Sequence, residues 1–180
     1  MKKIWLVGLI ILTIGLWSNL TFAELNNYKP ESEPDGFRDI KWGTDISTLP
    51  SMVYDGRFNV DYKGGNICKL DCYRRKEDKL QIGEAKIERI LYVFYKNKFG
   101  EVLIEIKGWE NFNVIKAEME KKFGKAFQPI KSEERWWWSE GGIAMLYDKT
   151  SGGGSLTISS QKFYEEIDKE IGADIPEEGF

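Results

Sequence analysis

The sequence predicts an α+β domain in which an antiparallel sheet carries helices packed on one face. Three observations support this prediction. Residues 90–95 place apolar side chains on both faces of an extended segment, as in a central strand. A short turn then returns the chain into a second alternating strand. Residues 111–124 follow with apolar side chains at helical spacing, and runs of strands separated by few helices are typical of the α+β class.

The first 23 residues have the order of a secretory signal peptide. Lys2 and Lys3 precede an uncharged apolar run that ends at Trp17, and Ala23 closes a Thr-Phe-Ala sequence suited to signal peptidase. The run is shorter than the roughly 18–20 residues that a spanning helix needs. We therefore expect cleavage after Ala23 and export to the periplasm or the medium. Retention of the segment as an uncleaved anchor is the alternative.

The rest of the chain predicts one domain with polar ends. Residues 24–36 are polar and contain two prolines, which favours a flexible leader. A single domain over 37–171 and an acidic tail over 172–180 follow. Loss of the two signal lysines leaves 24 basic and 29 acidic residues, a net charge of −5. Such a chain lacks the basic footprint that nucleic acid or anionic lipid requires, and no second apolar stretch reaches spanning length.

The first half of the domain predicts a short helix and several strands. Thr44 or Asp45 can cap a helix that Pro50 ends. Residues 53–62 alternate loosely, as a strand with an Asp-Gly turn inside it or at its edge, and residues 63–66 form a turn. The long hairpin is expected to turn at residues 97–98 and to return as a strand over 102–106.

The second half predicts a helix, three strands and a closing helix. Asn111 or Asn113 can cap the first helix, and Gly124 can end it. Strands are expected at 134–138, 143–147 and 155–159, and a closing amphipathic helix at 161–172. Because each half starts with a helix and continues with strands, the order is compatible with two helix-plus-β-hairpin units.

The two cysteines, Cys68 and Cys72, are a candidate disulfide. Export would bring them into an oxidising compartment, where paired thiols oxidise. Four residues along a strand span about 13 Å, whereas the Cα atoms of a disulfide lie within about 7 Å, so pairing requires a tight turn at residues 69–71. Free thiols are the alternative. Two thiols without histidine do not make a zinc site.

The residue inventory argues against an enzyme and against a cofactor or metal. The sequence has no histidine, which removes Ser-His and Cys-His nucleophile pairs. It also has no G-x-S-x-G, G-x-G-x-x-G or phosphate-loop motif. The glycine-rich residues 151–155 lie between two expected strands and favour a hairpin loop. Carboxylates are numerous, so an enzyme of the two-acid glycosidase type is the alternative. No catalytic pair stands out among them, and a solvated face is expected.

Three consecutive tryptophans, residues 136–138, are the most specific indication of a binding surface in the sequence. Side chains alternate along a strand, so Trp136 and Trp138 share one face, and Trp137 shares the other with Arg135. We expect the first pair to face the core. A tryptophan beside an arginine has the composition of a protein-binding hot spot or of a sugar-stacking platform, which makes Trp137 and Arg135 candidate binding residues. Structural packing of all three rings is the alternative.

Two stretches carry a resemblance to known proteins. GFRDIKWGTDISTLPSM (36–52) and YRRKEDKLQIGEAKIERILYVFYKNKF (73–99) are similar to a family of small exported bacterial proteins, which brings no catalytic residues. The helix–hairpin order also resembles β-lactamase-inhibitor proteins and the small lipoprotein of the outer-membrane barrel-assembly machine, although the lipid-attachment cysteine is missing. Both bind proteins, so the resemblance implies protein binding at the cell envelope. A binder of small ligands or glycans on exposed aromatic rings is the alternative.

Overall fold

One seven-stranded antiparallel sheet organises the fold. The computed structural model describes residues 34–61, 66–138 and 142–172. The strands are β1 (Gly36–Phe37), β2 (Ile40–Lys41), β3 (Met52–Asp61), β4 (Ile67–Arg75), β5 (Gln81–Ile82), β6 (Ala85–Lys86), β7 (Arg89–Tyr95), β8 (Lys98–Lys107), β9 (Arg135–Trp137), β10 (Ile143–Asp148) and β11 (Gly153–Ser159). The helices are α1 (Trp109–Phe123) and α2 (Gln161–Gly172). The large sheet has the order β3-β4-β7-β8-β11-β10-β9, and β1-β2 and β5-β6 form two small ribbons.

The predicted central strand is confirmed as β7, and it is buried on both faces. Its neighbouring residues Tyr92 and Val93 point to opposite sides of the sheet, and both are buried. The hairpin to β8 turns at Lys96 and Asn97, one residue earlier than expected. Both have positive φ angles, 47° and 68°, as a type I′ hairpin turn requires.

The sheet is assembled from two antiparallel halves. The first half contains β3, β4, β7 and β8, and the second contains β9, β10 and β11. They join where β8 pairs with β11, after α1 has carried the chain to the far edge of the sheet. The α+β class with an antiparallel sheet is therefore confirmed. The first half contains a short 3-10 helix, Ile46–Thr48, capped by the side chain of Asp45. Within the described residues, an α-helix precedes the strands of the second half only.

The two helices lie on opposite faces of the sheet, so the expectation that helices pack on one face is wrong. Phe112 and Ile115 of α1 belong to the same apolar cluster as Tyr92. Phe163 and Ile167 of α2 pack instead with Val93, the next residue of β7. The same apolar cluster also contains Val60, Cys68, Leu70 and Cys72. Adjacent strand residues point to opposite faces, so the sheet has an α1 face and an α2 face.

The domain starts slightly earlier than the sequence indicated. The expected signal peptide (1–23), the leader up to residue 33 and the tail from residue 173 lie outside the described residues. The end of the expected leader belongs to the domain, because Gly36 pairs with Lys41 in the β1-β2 ribbon. A Cβ atom on Gly36 would overlap the carbonyl oxygen of Ile40, so this close backbone approach requires glycine.

Local rules explain most differences at the ends of the elements. Helix α1 begins at Trp109, two residues before the expected start, with Gly108 as its N-cap and no side-chain capping bond. Asn111 instead accepts a hydrogen bond from the backbone N–H of Lys86 at 3.0 Å. The Asp-Gly pair within β3 is a bulge, at a register shift between Tyr54 and Gly56, rather than a turn. In the described ranges, no helix is both long and apolar enough to cross a membrane.

Helix α2 is seated directly on a glycine of the sheet. A Cβ atom on Gly100 would overlap the aromatic ring of Phe163, because the ring fills the space that a side chain at this position would need. We predict that Gly100→Ala lowers the free energy of unfolding by about 1–3 kcal/mol through overpacking, measured by urea denaturation.

The matched control is another strand glycine, Gly153→Ala. Its added Cβ would lie 3.5 Å from the nearest side-chain atom, the hydroxyl oxygen of Ser151, which is an ordinary contact. We expect a change of about 0.5 kcal/mol or less. Equal effects of the two substitutions would contradict the close seating of α2.

Candidate functional site

A cavity of about 580 Å³ opens on the α1 face, between β1, the β5-β6 ribbon and the second half of α1. Its volume lies within the range of roughly 300–1,000 Å³ typical of small-molecule sites. The lining residues are Pro34, Gly36, Phe37, Arg38, Gln81, Ile82, Glu118, Met119, Lys121, Lys122, Phe123, Leu156 and Ile158. We call this cavity the α1 pocket.

The floor of the α1 pocket is apolar and buried. Leu156 and Ile158 are alternate residues of β11 and therefore point to the same face of the sheet. Met119 and Phe123 are four residues apart on α1, so they lie on its sheet-facing stripe. All four side chains are buried. Met119 and Ile158 keep a small accessible area, 6% and 7%, whereas Leu156 and Phe123 are almost fully covered. The floor thus offers a small apolar surface that a hydrocarbon chain or ring can contact without losing hydrogen bonds to water.

One wall of the pocket is fixed by a polar network behind it. Phe37 packs edge-on against Tyr92, with 5.9 Å between ring centroids. The guanidinium of Arg38 pairs with the carboxylate of Asp78 and donates a hydrogen bond to the carbonyl of Lys79. Tyr92 donates its hydroxyl hydrogen to the same carboxylate at 2.9 Å. Burial, together with the negative charge of Asp78, raises the pKa of Tyr92, so the hydroxyl remains a donor and holds the wall in place.

The opposite wall is the β5-β6 ribbon, which rests on α1. Gln81 donates a side-chain hydrogen bond to the carbonyl of Gly83 at 2.7 Å, closing the ribbon's turn. Gly83 has a φ of +54°, and a Cβ added there would lie 3.3 Å from the side chain of Glu118. Ala85 is buried against the core. These contacts bring Ile82 to the pocket, where it faces the floor residues of α1 and β11.

The rim of the α1 pocket carries charge. Glu118, Lys121 and Lys122 are exposed residues of the last turns of α1. The ammonium nitrogen of Lys122 lies 4.9 Å from the ring centroid of Phe123, close enough for a cation–π contact. Among the residues that the structure describes, no carboxylate forms an ion pair with Lys121 or Lys122.

The tryptophan run divides between the two faces as the alternation predicted. Trp136 and Trp138 are 8% and 1% exposed, so both belong to the core as expected. The indole N–H of Trp138 donates a hydrogen bond to the carbonyl of Gly124 at 2.9 Å, at the end of α1. Trp136 lies under the ammonium group of Lys116, at 5.0 Å. These two rings therefore anchor α1 to the sheet.

The candidate binding residues Trp137 and Arg135 lie apart from the α1 pocket. Trp137 is partly buried, and its backbone N–H and C=O both pair with Phe127, whose ring centroid lies 6.4 Å from its own. Arg135 lies 3.4 Å from the carboxylate of Glu133. The structure thus brings these two residues to the edge strand β9 and not to the pocket. Their role in binding stays a prediction.

The candidate disulfide is wrong. Cys68 and Cys72 are free and buried, and both lie in β4, whose extended backbone includes residues 69–71 where a disulfide would need a tight turn. Burial raises the pKa of the Cys68 thiol to about 11 and raises that of Cys72 further. Both thiols stay protonated at neutral pH, so they pack as small apolar groups under α2.

A buried carboxyl group lies under α2, on the face opposite the pocket. Glu101 is buried, and its carboxyl oxygen accepts hydrogen bonds from Ser159 at 2.9 Å and from the hydroxyl of Tyr164. Loss of solvation raises the pKa of Glu101, and these two hydrogen bonds offset part of the rise. Because Tyr164 belongs to α2, the carboxyl group helps to fix that helix on the sheet.

Comparison with known proteins gives no indication of function. No family model, no curated protein and no solved structure matches this chain. Within the described ranges, no cluster of three or more His, Cys, Asp or Glu side chains is placed to hold a metal ion.

The buried carboxyl group predicts a specific pH dependence of stability. A folded-state pKa above the ordinary value near 4.5 means that Glu101 destabilises the fold progressively as the pH rises from that value through its folded-state pKa. We expect Glu101→Gln to gain stability relative to the wild type between pH 5 and pH 8, by about 1 kcal/mol or more. Urea denaturation at several pH values measures this difference.

The control for this prediction is Glu166→Gln, which removes an exposed carboxylate from the same helix. The free energy of unfolding of this variant should follow that of the wild type across the pH range, because an exposed carboxylate contributes little to its pH dependence. A constant difference between Glu101→Gln and the wild type from pH 5 to pH 8 would contradict a raised pKa at Glu101.

Proposed function

We propose that this chain is a non-catalytic, exported binding protein that takes a small, largely apolar ligand in the α1 pocket. The observation that carries the proposal is the cavity of about 580 Å³ between α1, β1 and the β5-β6 ribbon. An apolar floor with a few polar groups at its rim is the usual form of a small-molecule site. Residues 1–23 have the arrangement typical of a secretory signal peptide, which supports export.

The chemistry around the pocket supports binding rather than catalysis. The described residues that line it include no hydroxyl or thiol nucleophile, and the sequence has no histidine to act as a base. Cys68, Cys72 and the buried Glu101 all lie on the α2 face, away from the pocket. The lining therefore supplies apolar contact and charge, which hold a ligand without transforming it.

A pocket-filling substitution tests this proposal. Ile82 lines the pocket, so Ile82→Trp should fill part of the cavity and exclude a ligand. We expect the purified wild-type protein to bind the neutral fluorescent probe N-phenyl-1-naphthylamine with an increase in emission. We expect Ile82→Trp to weaken this binding by about tenfold or more, since displaced apolar contact costs about 25 cal/mol per Å².

The matched control places the same side chain two residues away. Leu80 is 45% exposed and does not line the pocket, so Leu80→Trp should bind the probe as the wild type does. Unfolding midpoints of both variants establish that they are folded. Absence of probe binding to the wild type, or equal binding to the wild type and Ile82→Trp, would refute the proposed site.

A second candidate function, protein binding, is favoured by the edge of the sheet. Strand β3 is ten residues long, and within the described residues it pairs only with β4. Its outer backbone groups form a template to which an extended peptide could add a strand. Tyr54 on this strand is 54% exposed and offers an aromatic contact. The bulge beside Gly56 limits this edge to short partners.

Affinity capture from an envelope extract separates the possible protein-binding surfaces. We expect Tyr54→Lys to lose a partner that the wild type recovers, because lysine on an edge strand opposes strand addition. Leu80→Lys, an exposed apolar residue changed in the same way away from the edge, should retain that partner. Loss in Trp137→Ala instead would assign the contact to β9. Recovery of one set of proteins by all four chains would exclude both surfaces.

A further inference from the structure

We infer that the ligand of the α1 pocket is an amphipathic anion, with an apolar chain or ring system on the floor and one acidic group against Lys121 and Lys122. This inference rests on the proposed small-ligand function and specifies its ligand class. It is carried by the separation of apolar and charged groups within the pocket and by the sign of the charge at the rim.

Polar and apolar lining groups are separated by depth. The floor side chains Met119, Phe123, Leu156 and Ile158 are buried, whereas Glu118, Lys121 and Lys122 are exposed. A sugar, which has hydroxyl groups over its whole surface, would leave several of them without partners on this floor, at a cost for each. A molecule with one polar end avoids this cost, because only its apolar part enters the pocket.

The charge at the rim is positive. The lining contains three basic residues, Arg38, Lys121 and Lys122, and one acidic residue, Glu118. Arg38 is already paired with Asp78, so its charge is largely compensated. The positive charges of Lys121 and Lys122 and the negative charge of Glu118 sum to one net positive charge beside the mouth of the pocket. An acidic head group is therefore favoured there over a cationic one.

The end of α1 reduces this positive charge without reversing it. Lys121 and Lys122 lie in the last turn of the helix, where the unpaired carbonyl groups act as about half a negative charge. This interaction also gives the lysines a structural reason to be at the helix end. Half a charge is smaller than the net positive charge left by the two lysines and Glu118, so the rim remains attractive to an anion.

Displacement of the bound probe by three amphiphiles of equal chain length tests the inference. The wild-type protein is loaded with N-phenyl-1-naphthylamine at pH 8 and titrated with dodecanoate, dodecanol or dodecyltrimethylammonium. The two ionic amphiphiles are kept below their micelle concentrations and dodecanol below its solubility limit. We expect dodecanoate to compete best. The double substitution Lys121→Gln, Lys122→Gln should weaken dodecanoate by about tenfold while leaving dodecanol unchanged, since exposed charge contacts contribute a few-fold each.

The control is a double variant of two exposed lysines that do not line the pocket, Lys125→Gln, Lys131→Gln, which should keep the wild-type preference. Equal competition by dodecanoate and dodecanol, or a preference for the cation, would overturn the anionic ligand class and leave the pocket standing. Failure of all three to displace the probe, together with unchanged probe binding by Ile82→Trp, would overturn the pocket itself. Loss of the dodecanoate preference in both double variants would assign it to overall charge and overturn the role of Lys121 and Lys122.

Discussion

The burial of the β7-β8 hairpin on both faces is the constraint on which the rest of the structure depends. Tyr92 and Val93 are neighbours, and both are excluded from water, so neither side of the hairpin can face solvent without a large loss of hydrophobic stabilisation. Helix α1 covers the side of Tyr92 and helix α2 covers the side of Val93. The position of α1 then decides where the pocket forms, because one helix does not cover the full width of a seven-stranded sheet.

The α1 pocket is a consequence of this incomplete cover. The β1-β2 and β5-β6 ribbons lie on the same side of the sheet as α1, with Phe37 and Ile82 packed against the core. Both ribbons are only two residues long on each strand, and they depend on side-chain anchors such as Arg38 and Asp78 for their position. Short ribbons on a rigid sheet leave a gap over Leu156 and Ile158, and the sheet itself supplies a fixed floor for it.

The sequence predicted the elements well where periodicity decides and poorly where long-range packing decides. The alternation around Trp136 and Trp138 was sufficient to place both rings in the core. Periodicity does not show which face of a sheet a helix covers, so the opposite placement of α2 could not be predicted. The disulfide prediction is wrong for a related reason. The distance between Cys68 and Cys72 along an extended strand argued against pairing, but the sequence left open a tight turn at residues 69–71. The structure excludes that turn, because β4 is one continuous strand through these residues. The sequence does not predict the pocket because Ile82 lies in a largely polar segment, although an apolar residue next to Gly83 is a signal that this segment has an inner side.

The two faces of β11 differ in polarity, and this difference favours the α1 side for the proposed apolar ligand. Its inward residues toward α1 are Leu156 and Ile158, while its residues toward the other face are Ser155, Thr157 and Ser159. Ser159 is satisfied by Glu101, but within the described residues the hydroxyl groups of Ser155 and Thr157 have no hydrogen-bond partner. Buried polar groups of this kind oppose apolar contact, because each lost hydrogen bond to water has a cost. One strand therefore presents apolar side chains on one side of the sheet and hydroxyl groups on the other, and this difference supports the proposal that an apolar ligand binds in the α1 pocket.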